Sequence, residues 1–565
     1  MKTDTIRHSI SHIMAAAVKE LFPGAKFGIG PAIENGFYYD FDLKNSLSPQ
    51  DLPKIEKKMK EIIQQNVPFK KKLVFKTEAK KIFKDQPYKL ELIQELPGKN
   101  VTLYQSGDFT DLCKGPHIKS TKEINPQAFK LTKIAGAYWR GSESNPMLTR
   151  IYGVAFENKT DLEKYLKIQE EAEKRDHRLL GQKLELFMFD DEIGAGLPLW
   201  MPKGATLRKI IENFLYKELS LQGYQWVATP HIAKLDLWKT SGHWNLYREN
   251  MYSPIKIDEE EYMLKPMNCP FHVKIYNSKT RSYKDLPLRY AELGTVYRYE
   301  KSGVLHGLTR VRGFTQDDAH IICAPGQLTE ELTKLLKSGI KILKTFGFKD
   351  FDIYLSTMPE KHAGNIQGWT KATNALKFVL NKLKLKYSVD PEGGVFYGPK
   401  IDIKVKDSLQ RSWQCTTIQV DFNLPEKFKM VYIDEKGKKQ EPYMIHRALL
   451  GSLERFIGVL IEHYAGALPL WLAPVQAWVI PIADRHKKYA AEIAKSLAGL
   501  RIELKDENGT VSKKIREGEM QKIPYLLVVG DAEMKNKTVR ARERGKGDIG
   551  EMKIDKFIKK FEIKN

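Results

Sequence analysis

Cysteine is scarce in this 565-residue chain, with four widely separated residues at positions 113, 269, 323 and 415. So few thiols exclude a disulfide-built secreted protein and leave reduced, reactive or metal-bound cysteines as the expectation. No stretch approaches the roughly 18 uncharged apolar residues of a membrane span, and the N-terminus lacks the apolar run of a signal peptide. We therefore expect a cytoplasmic protein without a membrane partner.

Charge and length narrow the function further. The chain carries 93 Lys and Arg against 70 Asp and Glu, a net charge of +23, with 42% hydrophobic residues. That composition is globular rather than disordered, and at about 150 residues per domain the length predicts three to four domains. The basic excess favours a polyanionic partner, most simply nucleic acid, although it could also serve solubility alone.

Changes of pattern along the chain predict four regions. Residues 1–157 read as a mixed α/β module, with a helix over 9–21 and a strand over 36–42, and residues 158–180 as a polar linker helix. Residues 181–470 combine long amphipathic helices with antiparallel-looking strands, and residues 471–565 alternate short strands and helices as a small α/β module. The fold class is therefore α+β and multidomain.

The strongest local signal is the pair of segments 288–300 and 310–320, separated by a turn-rich stretch. On a strand, Arg298 and Glu300 would share one face, where a guanidinium can clamp a phosphate and a carboxylate can accept from an amine. In isolation, the same pair is equally typical of exposed strand charges. A helix with an apolar stripe at 449, 453, 456, 457 and 460 adds Arg455.

Two groups of cysteine and histidine residues are candidate metal ligands. Cys269, His320 and His446 supply one thiolate and two imidazoles, a set that suits zinc, but their spacing matches no local zinc motif. Near the N-terminus, His8 and His12 share a helix face, and Cys113 with His117 repeats the four-residue spacing. That pattern is typical of a zinc site, and from the residues alone a metal-free site is as plausible.

Together these segments resemble the class II aminoacyl-tRNA synthetases. The resemblance assigns motif 1 to residues 207–230, motif 2 to the strand at 298–300 with its loop, and motif 3 to Gly-Ser-Leu-Glu-Arg-Phe at 451–456. The segments 265–270, 314–320, 396–400 and 444–448 narrow it to the bacterial-type threonyl-tRNA synthetase family, over essentially the whole chain. The small N-terminal domain common in that family is expected to be absent.

The resemblance implies domains, activity and substrates. It implies an editing domain at 1–157, a linker helix at 158–180, an antiparallel class II catalytic core at 181–470 and an anticodon-binding domain at 471–565. The implied activity converts threonine and ATP, with Mg²⁺, to threonyl-adenylate and transfers threonine to tRNA(Thr). The competing hypotheses are a non-catalytic synthetase-like RNA-binding regulator and a stand-alone editing factor.

Residue roles in the catalytic core follow from the same resemblance. Arg298 is expected on the α-phosphate, Arg310 on the outer phosphates, Arg455 on the γ-phosphate side and Glu300 at the adenine. The remaining implied site residues are Gln414 and Ser452 for the nucleotide, Asp318 for the threonine hydroxyl, and Gln316, Tyr397 and Gln419 for the pocket wall. Gln414 and Gln419 differ in strand parity, so one site for both requires a bulge or an end effect.

Discrimination between amino acids is implied to use two sites. One zinc per subunit, on Cys269, His320 and His446, would take the amino and hydroxyl groups of threonine as ligands and so reject valine. Serine also has the hydroxyl, so a proofreading site is needed. The resemblance assigns it to His8, His12, Cys113 and His117, with Asp111 as a helper and no required metal.

The resemblance also implies anticodon-reading residues and a homodimer, and the sequence departs from the family pattern at one position. Asn508, Glu533 and Arg542 occupy positions expected to read anticodon bases. Motif 1 implies a homodimer. Phe271 stands where many members have glycine, and a bulkier wall beside Cys269 is expected.

Overall fold

The computed structural model describes residues 2–564. The chain divides into two compact units, Met1–Glu170 and Glu171–Asn565, called here the N-terminal and C-terminal units. The division falls inside the helix Lys159–Lys174. The predicted linker helix over 158–180 is thus shorter, because Asp176 accepts the N–H of Arg178 and starts a new helix at His177. None of the helices within residues 2–564 is long and apolar enough to cross a bilayer.

The N-terminal unit has two sheets and four helices before the linker helix. Its helices are α1 (Lys2–Leu21), α2 (Leu52–Gln64), α3 (Lys76–Ile82) and α4 (Pro87–Glu95), and α5 is Lys159–Lys174. Its strands are β1 (Lys26–Phe27), β2 (Ala32–Ile33), β3 (Gly36–Asp42), β4 (Phe69–Phe75), β5 (Asn100–Ser106), β6 (Phe109–Leu112), β7 (Phe129–Tyr138) and β8 (Met147–Ala155). One sheet has the order β1-β3-β8-β7 with β2 on β3, and the other is β4-β5-β6. The predicted strand over 36–42 is confirmed as β3.

A large sheet with its helices forms most of the C-terminal unit. The helices are α6 (His177–Lys183), α7 (Pro202–Leu221), α8 (Leu235–Ser241), α9 (His243–Leu246), α10 (Cys269–Tyr276), α11 (Leu328–Thr345), α12 (Ile366–Lys382), α13 (Asn423–Lys427) and α14 (Leu453–His463). The strands are β9 (Phe187–Met188), β10 (Leu199–Trp200), β11 (Gln225–Trp226), β12 (Ile232–Lys234), β13 (Ile255–Ile257), β14 (Glu260–Leu264), β15 (Leu288–Tyr297), β16 (Gly313–Cys323), β17 (Phe351–Ser356), β18 (Ser388–Asp390), β19 (Lys400–Lys406), β20 (Ser412–Asp421), β21 (Tyr432–Ile433), β22 (Lys439–Gln440) and β23 (Tyr443–Ser452).

The eight-stranded sheet of this unit has the order β11-β15-β16-β23-β20-β19-β17-β18. All neighbours are antiparallel except β11 with β15 and β18 with β17, which pair in parallel at the two edges. Long antiparallel strands interleaved with helices confirm the α+β prediction.

Helix α7 shows why the sequence periodicity predicted a buried face. Leu207, Ile211, Leu215 and Leu219 recur every fourth residue, and each is at most 1% exposed. Full burial of one such side chain contributes about 1.5–3 kcal/mol, so this stripe outweighs the weak helix propensity of the isolated segment. The strand predicted after it is short, because only Gln225 and Trp226 pair with β15 before the chain turns away.

The C-terminal end of this unit is a five-stranded mixed sheet with helices. Its strands are β24 (Ala477–Pro481), β25 (Ile502–Leu504), β26 (Tyr525–Val529), β27 (Thr538–Glu543) and β28 (Gly547–Lys553), in the order β25-β24-β26-β27-β28. Its helices are α15 (Lys487–Ser496), α16 (Val511–Met520), α17 (Asp531–Asn536) and α18 (Ile554–Lys564). Strand β24 pairs in parallel with β25 and β26, and β27 pairs antiparallel with β26 and β28.

Three arginines spaced two apart here do not share one strand face. Arg540 is on β27 and pairs with Asp548, and a bulge precedes Arg542. Arg544 lies beyond the end of the strand and is half-buried, and its guanidinium donates to the carbonyls of Ala467, Leu468 and Lys522. Arg544 therefore fastens this sheet to the segment that follows α14, and it is not part of a basic face.

Candidate active site

A cavity of about 330 Å³ lies against the large sheet, with residues of β16, β19, β20 and β23 in its lining. It is lined by all thirteen residues that sequence analysis assigned to the nucleotide, threonine and zinc sites: Cys269, Arg298, Glu300, Arg310, Gln316, Asp318, His320, Tyr397, Gln414, Gln419, His446, Ser452 and Arg455. These residues span almost 190 positions of the chain. The fold alone brings them together, since no local spacing does so.

Strand β16 supplies one wall through simple alternation. Gln316, Asp318 and His320 all line the cavity, because alternate side chains of a strand point to the same face. Asp318 accepts a hydrogen bond from the Asn268 amide at 3.0 Å, and burial raises the pKa of its carboxyl. Its residual exposure of 14% is toward the cavity, where a hydroxyl donor could reach it.

Asp317, on the opposite face of β16, holds a bulge in β23. Its carboxylate accepts the backbone N–H groups of Leu449, Leu450 and Gly451 at 2.8–3.1 Å, and the Arg447 guanidinium lies 3.4 Å away. The bulge shifts the pairing of β16 with β23 between Gln316 and Asp318. Burial raises the pKa of Asp317 to about 6 against these favourable contacts, so the carboxylate is ionised at neutral pH.

The bulge leads directly into the start of helix α14. Ser452 caps this helix, accepting the N–H of Arg455 at 3.2 Å. Leu449 is on β23, so the apolar stripe predicted for this helix begins at Leu453 instead. Asp317 thus sets where α14 begins, and with it the position of Arg455 at the cavity.

A second bulge resolves the parity problem of Gln414 and Gln419. In the pairing of β19 with β20, Ile403 is opposite Thr416 while Lys404 is opposite Gln414, which leaves Cys415 as the extra residue. The extra residue turns Gln414 to the same face as Gln419. Gln414 donates to Asp402 at 2.8 Å, and Gln419 donates to the carbonyl of Gly398 at 3.2 Å. The expected bulge is therefore present.

Arg298 and Glu300 are not on a strand, contrary to the sequence prediction. Strand β15 ends at Tyr297, and the N–H of Glu300 turns back to the carbonyl of Arg298 at 3.0 Å, which takes the segment out of the ladder. Both side chains reach the cavity nevertheless. Glu300 forms a 3.0 Å ion pair with Arg310, and Arg455 donates through Nε to the carbonyl of Thr309 at 3.0 Å.

The candidate metal ligands Cys269, His320 and His446 are buried and close. Their ligand atoms all lie within 4.8 Å of one another, and His320 Nε2 is 3.0 Å from His446 Nδ1. Cys269 opens α10, where the helix dipole favours a thiolate. Burial raises the pKa of the Cys269 thiol and lowers that of His320, which leaves the His320 imidazole in the neutral form that binds metal ions.

Carboxylates behind the two histidines were missed by sequence analysis. Asp421 lies 2.9 Å from His446 Nε2. His272 lies between His320 and Glu292: its Nδ1 is 2.8 Å from His320 Nδ1, and its Nε2 is 3.1 Å from the Glu292 carboxylate. Such partners orient metal-binding imidazoles. The available signal was weak: Asp421 follows Gln419 by two residues on a strand, and His272 follows Cys269 within one helical turn.

Lys400 also lines the cavity and was missed as a site residue. Its ammonium pairs with Asp402 at 2.6 Å, which ties it to the carboxylate that holds Gln414. Phe271 packs away from the cavity, edge-on to Trp238, and the Lys265 ammonium lies 5.6 Å from its ring. The bulkier wall expected beside Cys269 is therefore part of a neighbouring apolar cluster.

The N-terminal unit holds the second cluster. His8 and His12 come from α1, and Cys113 and His117 from the loop after β6. The Cys113 sulfur is 3.4 Å from His8 Nε2 and 3.3 Å from His117 Nε2, and all four ligand atoms lie within 4.8 Å. These distances alone fit either a metal site or a metal-free hydrolytic site.

Burial changes the pKa values of the histidines and of the cysteine in this cluster. Burial lowers the pKa of His8 and lowers that of His117 to about 2, so both imidazoles are neutral at neutral pH. Burial also raises the pKa of Cys113 to about 11, which keeps the thiol protonated. Neutral imidazoles can accept a proton from water, and they are also the form that binds a metal ion, so these protonation states fit either kind of site.

Asp111 lies deep in this cluster with two partners that the sequence did not suggest. The Lys89 ammonium is 2.5 Å from its carboxylate, and Tyr39 donates to it at 2.6 Å. His12 is 3.6 Å away on the same carboxylate. Lys89 is 2% exposed, and it comes from α4, far from any quoted motif, so only the fold reveals it.

The three residues expected to read an anticodon are dispersed over the C-terminal sheet. Asn508 is exposed in the segment before α16, and Arg542 follows the bulge of β27 with 30% of its side chain exposed. Glu533 is 7% exposed, and its carboxylate accepts the N–H of Gly530 at the start of α17. Their roles stay predictions.

Replacing Asp317 by alanine should destabilise the fold. The change leaves three buried N–H groups and Arg447 without their carboxylate, so we expect a loss of about 3 kcal/mol or more in the free energy of unfolding, measured by urea denaturation. Asp352→Ala removes a half-exposed strand carboxylate that pairs with Lys406, and it should cost about 1 kcal/mol at most. Equal losses in the two variants would show that the bulge does not depend on Asp317.

Comparison with known proteins places these features in one family. Residues 252–464 match the family described as "tRNA synthetase class II core domain (G, H, P, S and T)", residues 476–564 match "Anticodon binding domain", and residues 101–152 match "Threonyl and Alanyl tRNA synthetase second additional domain".

Among its relatives, the threonine–tRNA ligase of Sulfurihydrogenibium sp. (strain YO3AOP1) is 54% identical, over 99% of this chain and 88% of that protein. The threonine–tRNA ligase of Aquifex aeolicus (strain VF5) is 52% identical, over 100% of this chain and 89% of that protein. A crystal structure of the RNA-binding domain of threonyl-tRNA synthetase from Cryptosporidium parvum Iowa II aligns with a TM-score of 0.67 and 42% identity, over 69% of this chain and 98% of that one. With the class II core, the anticodon-binding domain and the editing-associated domain all present, this chain belongs to the threonyl-tRNA synthetase family.

Proposed function

We propose that the cavity of the large sheet activates threonine with ATP and transfers it to tRNA(Thr), and that the N-terminal cluster hydrolyses seryl-tRNA(Thr). The observation that carries the first part is the convergence of thirteen expected residues on one cavity. A non-catalytic RNA-binding regulator would need neither this convergence nor the buried carboxylates that orient the histidines.

In the activation step, the threonine carboxylate attacks the α-phosphorus of ATP and pyrophosphate leaves. Negative charge builds on the phosphate oxygens, and prepositioned cations lower the barrier most effectively. Arg298 and Arg455 are proposed for the α- and γ-phosphates, since both guanidinium groups are anchored by backbone carbonyls, those of Pro266 and Thr309. Mg²⁺ would accompany the triphosphate, as class II ATP chemistry implies.

Zinc is the proposed metal at Cys269, His320 and His446. One soft thiolate and two imidazoles suit zinc, and three protein ligands leave a position for substrate. Bound there, zinc would accept the amino and hydroxyl groups of threonine, which valine cannot match. Asp318 lies on the same cavity face as His320 and would accept a hydrogen bond from the threonine hydroxyl.

Amino-acid-dependent ATP–pyrophosphate exchange tests this proposal together with zinc content. We expect exchange with threonine and serine, no exchange with valine, and one zinc per chain by elemental analysis. Cys269→Ala should lose both the zinc and the exchange, because a structural thiolate ligand is gone. Cys113→Ala, which alters the other cysteine–histidine cluster, is the matched control and should keep one zinc and full exchange.

Two outcomes would contradict these assignments. A zinc-replete protein without threonine-dependent exchange would remove the synthetase assignment and favour the RNA-binding regulator. Two zinc ions per chain, falling to one in Cys113→Ala, would show that the N-terminal cluster is a metal site after all.

The proposed editing reaction is hydrolysis of the seryl ester at the 3′ end of tRNA. Water must be positioned and deprotonated, and the neutral imidazole of His8, with its ring 4.3 Å from that of His117, can accept the proton. Asp111, paired with Lys89, would orient His12 and leave the proton-accepting role to the less buried His8.

His8→Ala should therefore let seryl-tRNA(Thr) accumulate. Loss of a general base typically slows a reaction by roughly 100-fold to 10,000-fold, so deacylation of preformed seryl-tRNA should fall by at least about 100-fold. Threonine activation should not change. Glu20→Ala, an exposed change on the same helix that removes an ion pair with Lys58, is the control and should retain full deacylation. Unimpaired deacylation in His8→Ala would exclude this histidine as the base.

The proposal also includes a homodimer, a cytoplasmic location and contacts to the tRNA anticodon. Tyr216 and Leu221 of α7 are 56% and 77% exposed, which supports a homodimer formed through motif 1. The net charge of +23 supports phosphate attraction, with Asn508, Glu533 and Arg542 as candidate readers of anticodon bases. A cytoplasmic location follows from the proposed use of tRNA.

A further inference from the structure

His177 is a fully buried histidine outside every motif used above. It is the first residue of α6, three positions after the linker helix ends, and its side chain is 0% exposed. A histidine in such a place must satisfy both ring nitrogens, because an unpartnered buried polar group is costly. Its two partners lie on different elements of the C-terminal unit.

The hydrogen bonds of His177 fix its tautomer. The backbone N–H of Leu308 donates to Nε2 at 2.9 Å, so Nε2 carries no hydrogen. The proton is then on Nδ1, which donates to the Glu462 carboxylate at 2.6 Å. The ring is therefore neutral and rigidly oriented, with an acceptor aimed at one backbone amide.

Glu462 on α14 fixes the orientation of the His177 ring through further contacts of its own. It also accepts the backbone N–H of His177 at 3.1 Å and pairs with Arg411 at 2.6 Å. Burial raises the pKa of Glu462, but the hydrogen bonds from His177 outweigh this effect and leave it lowered, so the carboxylate is charged. Asp176, His177 and Glu462 are close enough to hold a cation, yet both ring nitrogens are already used.

The backbone N–H of Leu308, which donates to His177, belongs to the loop at the proposed nucleotide end of the cavity. Leu308 is followed by Thr309, whose carbonyl accepts from Arg455, and by Arg310, which pairs with Glu300. The hydrogen bond of Leu308 is therefore one residue from the carbonyl that anchors Arg455 and two residues from Arg310. Within the loop the carbonyl of His306 accepts the N–H groups of Thr309 and Arg310 at 3.0 and 3.2 Å, and the Leu308 side chain is buried in the core, while the hydrogen bond to His177 ties the backbone of the loop to α6.

Gly307 gives independent support for a close, specific fit. Its φ is +46°, and a Cβ at this position would meet His177 Nε2 at 2.2 Å and the Arg178 side chain at 2.7 Å. Only glycine allows the backbone to approach the imidazole so closely. The loop is thus shaped to meet this ring.

We propose that His177 is a positioning residue for ATP, which holds the loop of Leu308 so that Arg310 and Arg455 meet the triphosphate. The inference deepens the proposed function and rests on it. His177 does not contact the reacting atoms, so its loss should weaken ATP binding while leaving threonine binding unchanged.

Two isosteric variants separate the two hydrogen bonds. Asparagine places its amide near Nδ1, so His177→Asn keeps the donor to Glu462 but loses the acceptor for Leu308. Glutamine places its oxygen near Nε2, so His177→Gln keeps the acceptor and loses the donor. In ATP–pyrophosphate exchange, His177→Asn should raise KM for ATP by about threefold to tenfold, and His177→Gln by less than about twofold, with KM for threonine unchanged in both.

Hydrogen–deuterium exchange provides a readout that needs no activity. The peptide covering residues 301–312 should take up deuterium faster in His177→Asn than in the unmodified protein, and His177→Gln should remain protected. His486 is the matched control, because it is also buried and bridges the N–H of Ala483 and the carboxylate of Asp531 in the C-terminal sheet. His486→Asn should change neither KM nor loop protection.

Gly307→Ala keeps the inference testable if His177→Asn fails to fold. The added Cβ pushes the loop from the imidazole without removing it, and the same selective rise in KM for ATP is expected. A folded His177→Asn or Gly307→Ala protein with unchanged KM for ATP would overturn the inference, as would equal effects of the two His177 variants. Absence of threonine-dependent exchange in the unmodified protein would instead overturn the proposed function.

Discussion

Strand β16 lies between β15 and β23, and its two faces carry separate tasks. One face presents Gln316, Asp318 and His320 to the cavity, and the other presents Asp317 to the bulge of β23. A slip of one residue would exchange these faces and move the cavity-lining side chains behind the sheet. Because Asp317 binds three successive amides, it fixes both the register of this strand pair and the start of α14.

The same device recurs at four buried histidines. A carboxylate stands behind His446, His12 and His177, and Glu292 reaches His320 through His272. Each carboxylate fixes the orientation of the imidazole beside it. Charged side chains therefore lie one layer behind several of the residues proposed to act on substrate, in the way that outer partners orient metal ligands.

The family resemblance supplied the cavity residues, most of which lie in short dense motifs, and strong periodicity alone predicted α7 and β3. Sequence reasoning misplaced Arg298 and Glu300 on a strand, since nothing in the local pattern signals that the ladder stops at Tyr297. The carboxylates and Lys89 were missed for a different reason. Their partners lie on other elements, so only tertiary structure makes them neighbours.

The two β-bulges show most clearly which features can be predicted from the sequence and which cannot. Parity arithmetic required an irregularity between Gln414 and Gln419, and the structure puts it at Cys415. By contrast, the bulge at residues 449–451 gave no such sign, because its cause is a carboxylate more than 130 positions away. Long-range hydrogen bonds of this kind leave no periodic trace in a sequence.

Burial of Cys323 and Cys415 has a consequence for the behaviour of the protein toward oxidants. Burial raises the pKa of each thiol to about 12, so almost none of either is thiolate at neutral pH. Oxidation and alkylation both proceed through the thiolate. The folded chain therefore protects these two sulfurs from chemical damage by the packing that stabilises its core, and they become reactive only when that packing opens.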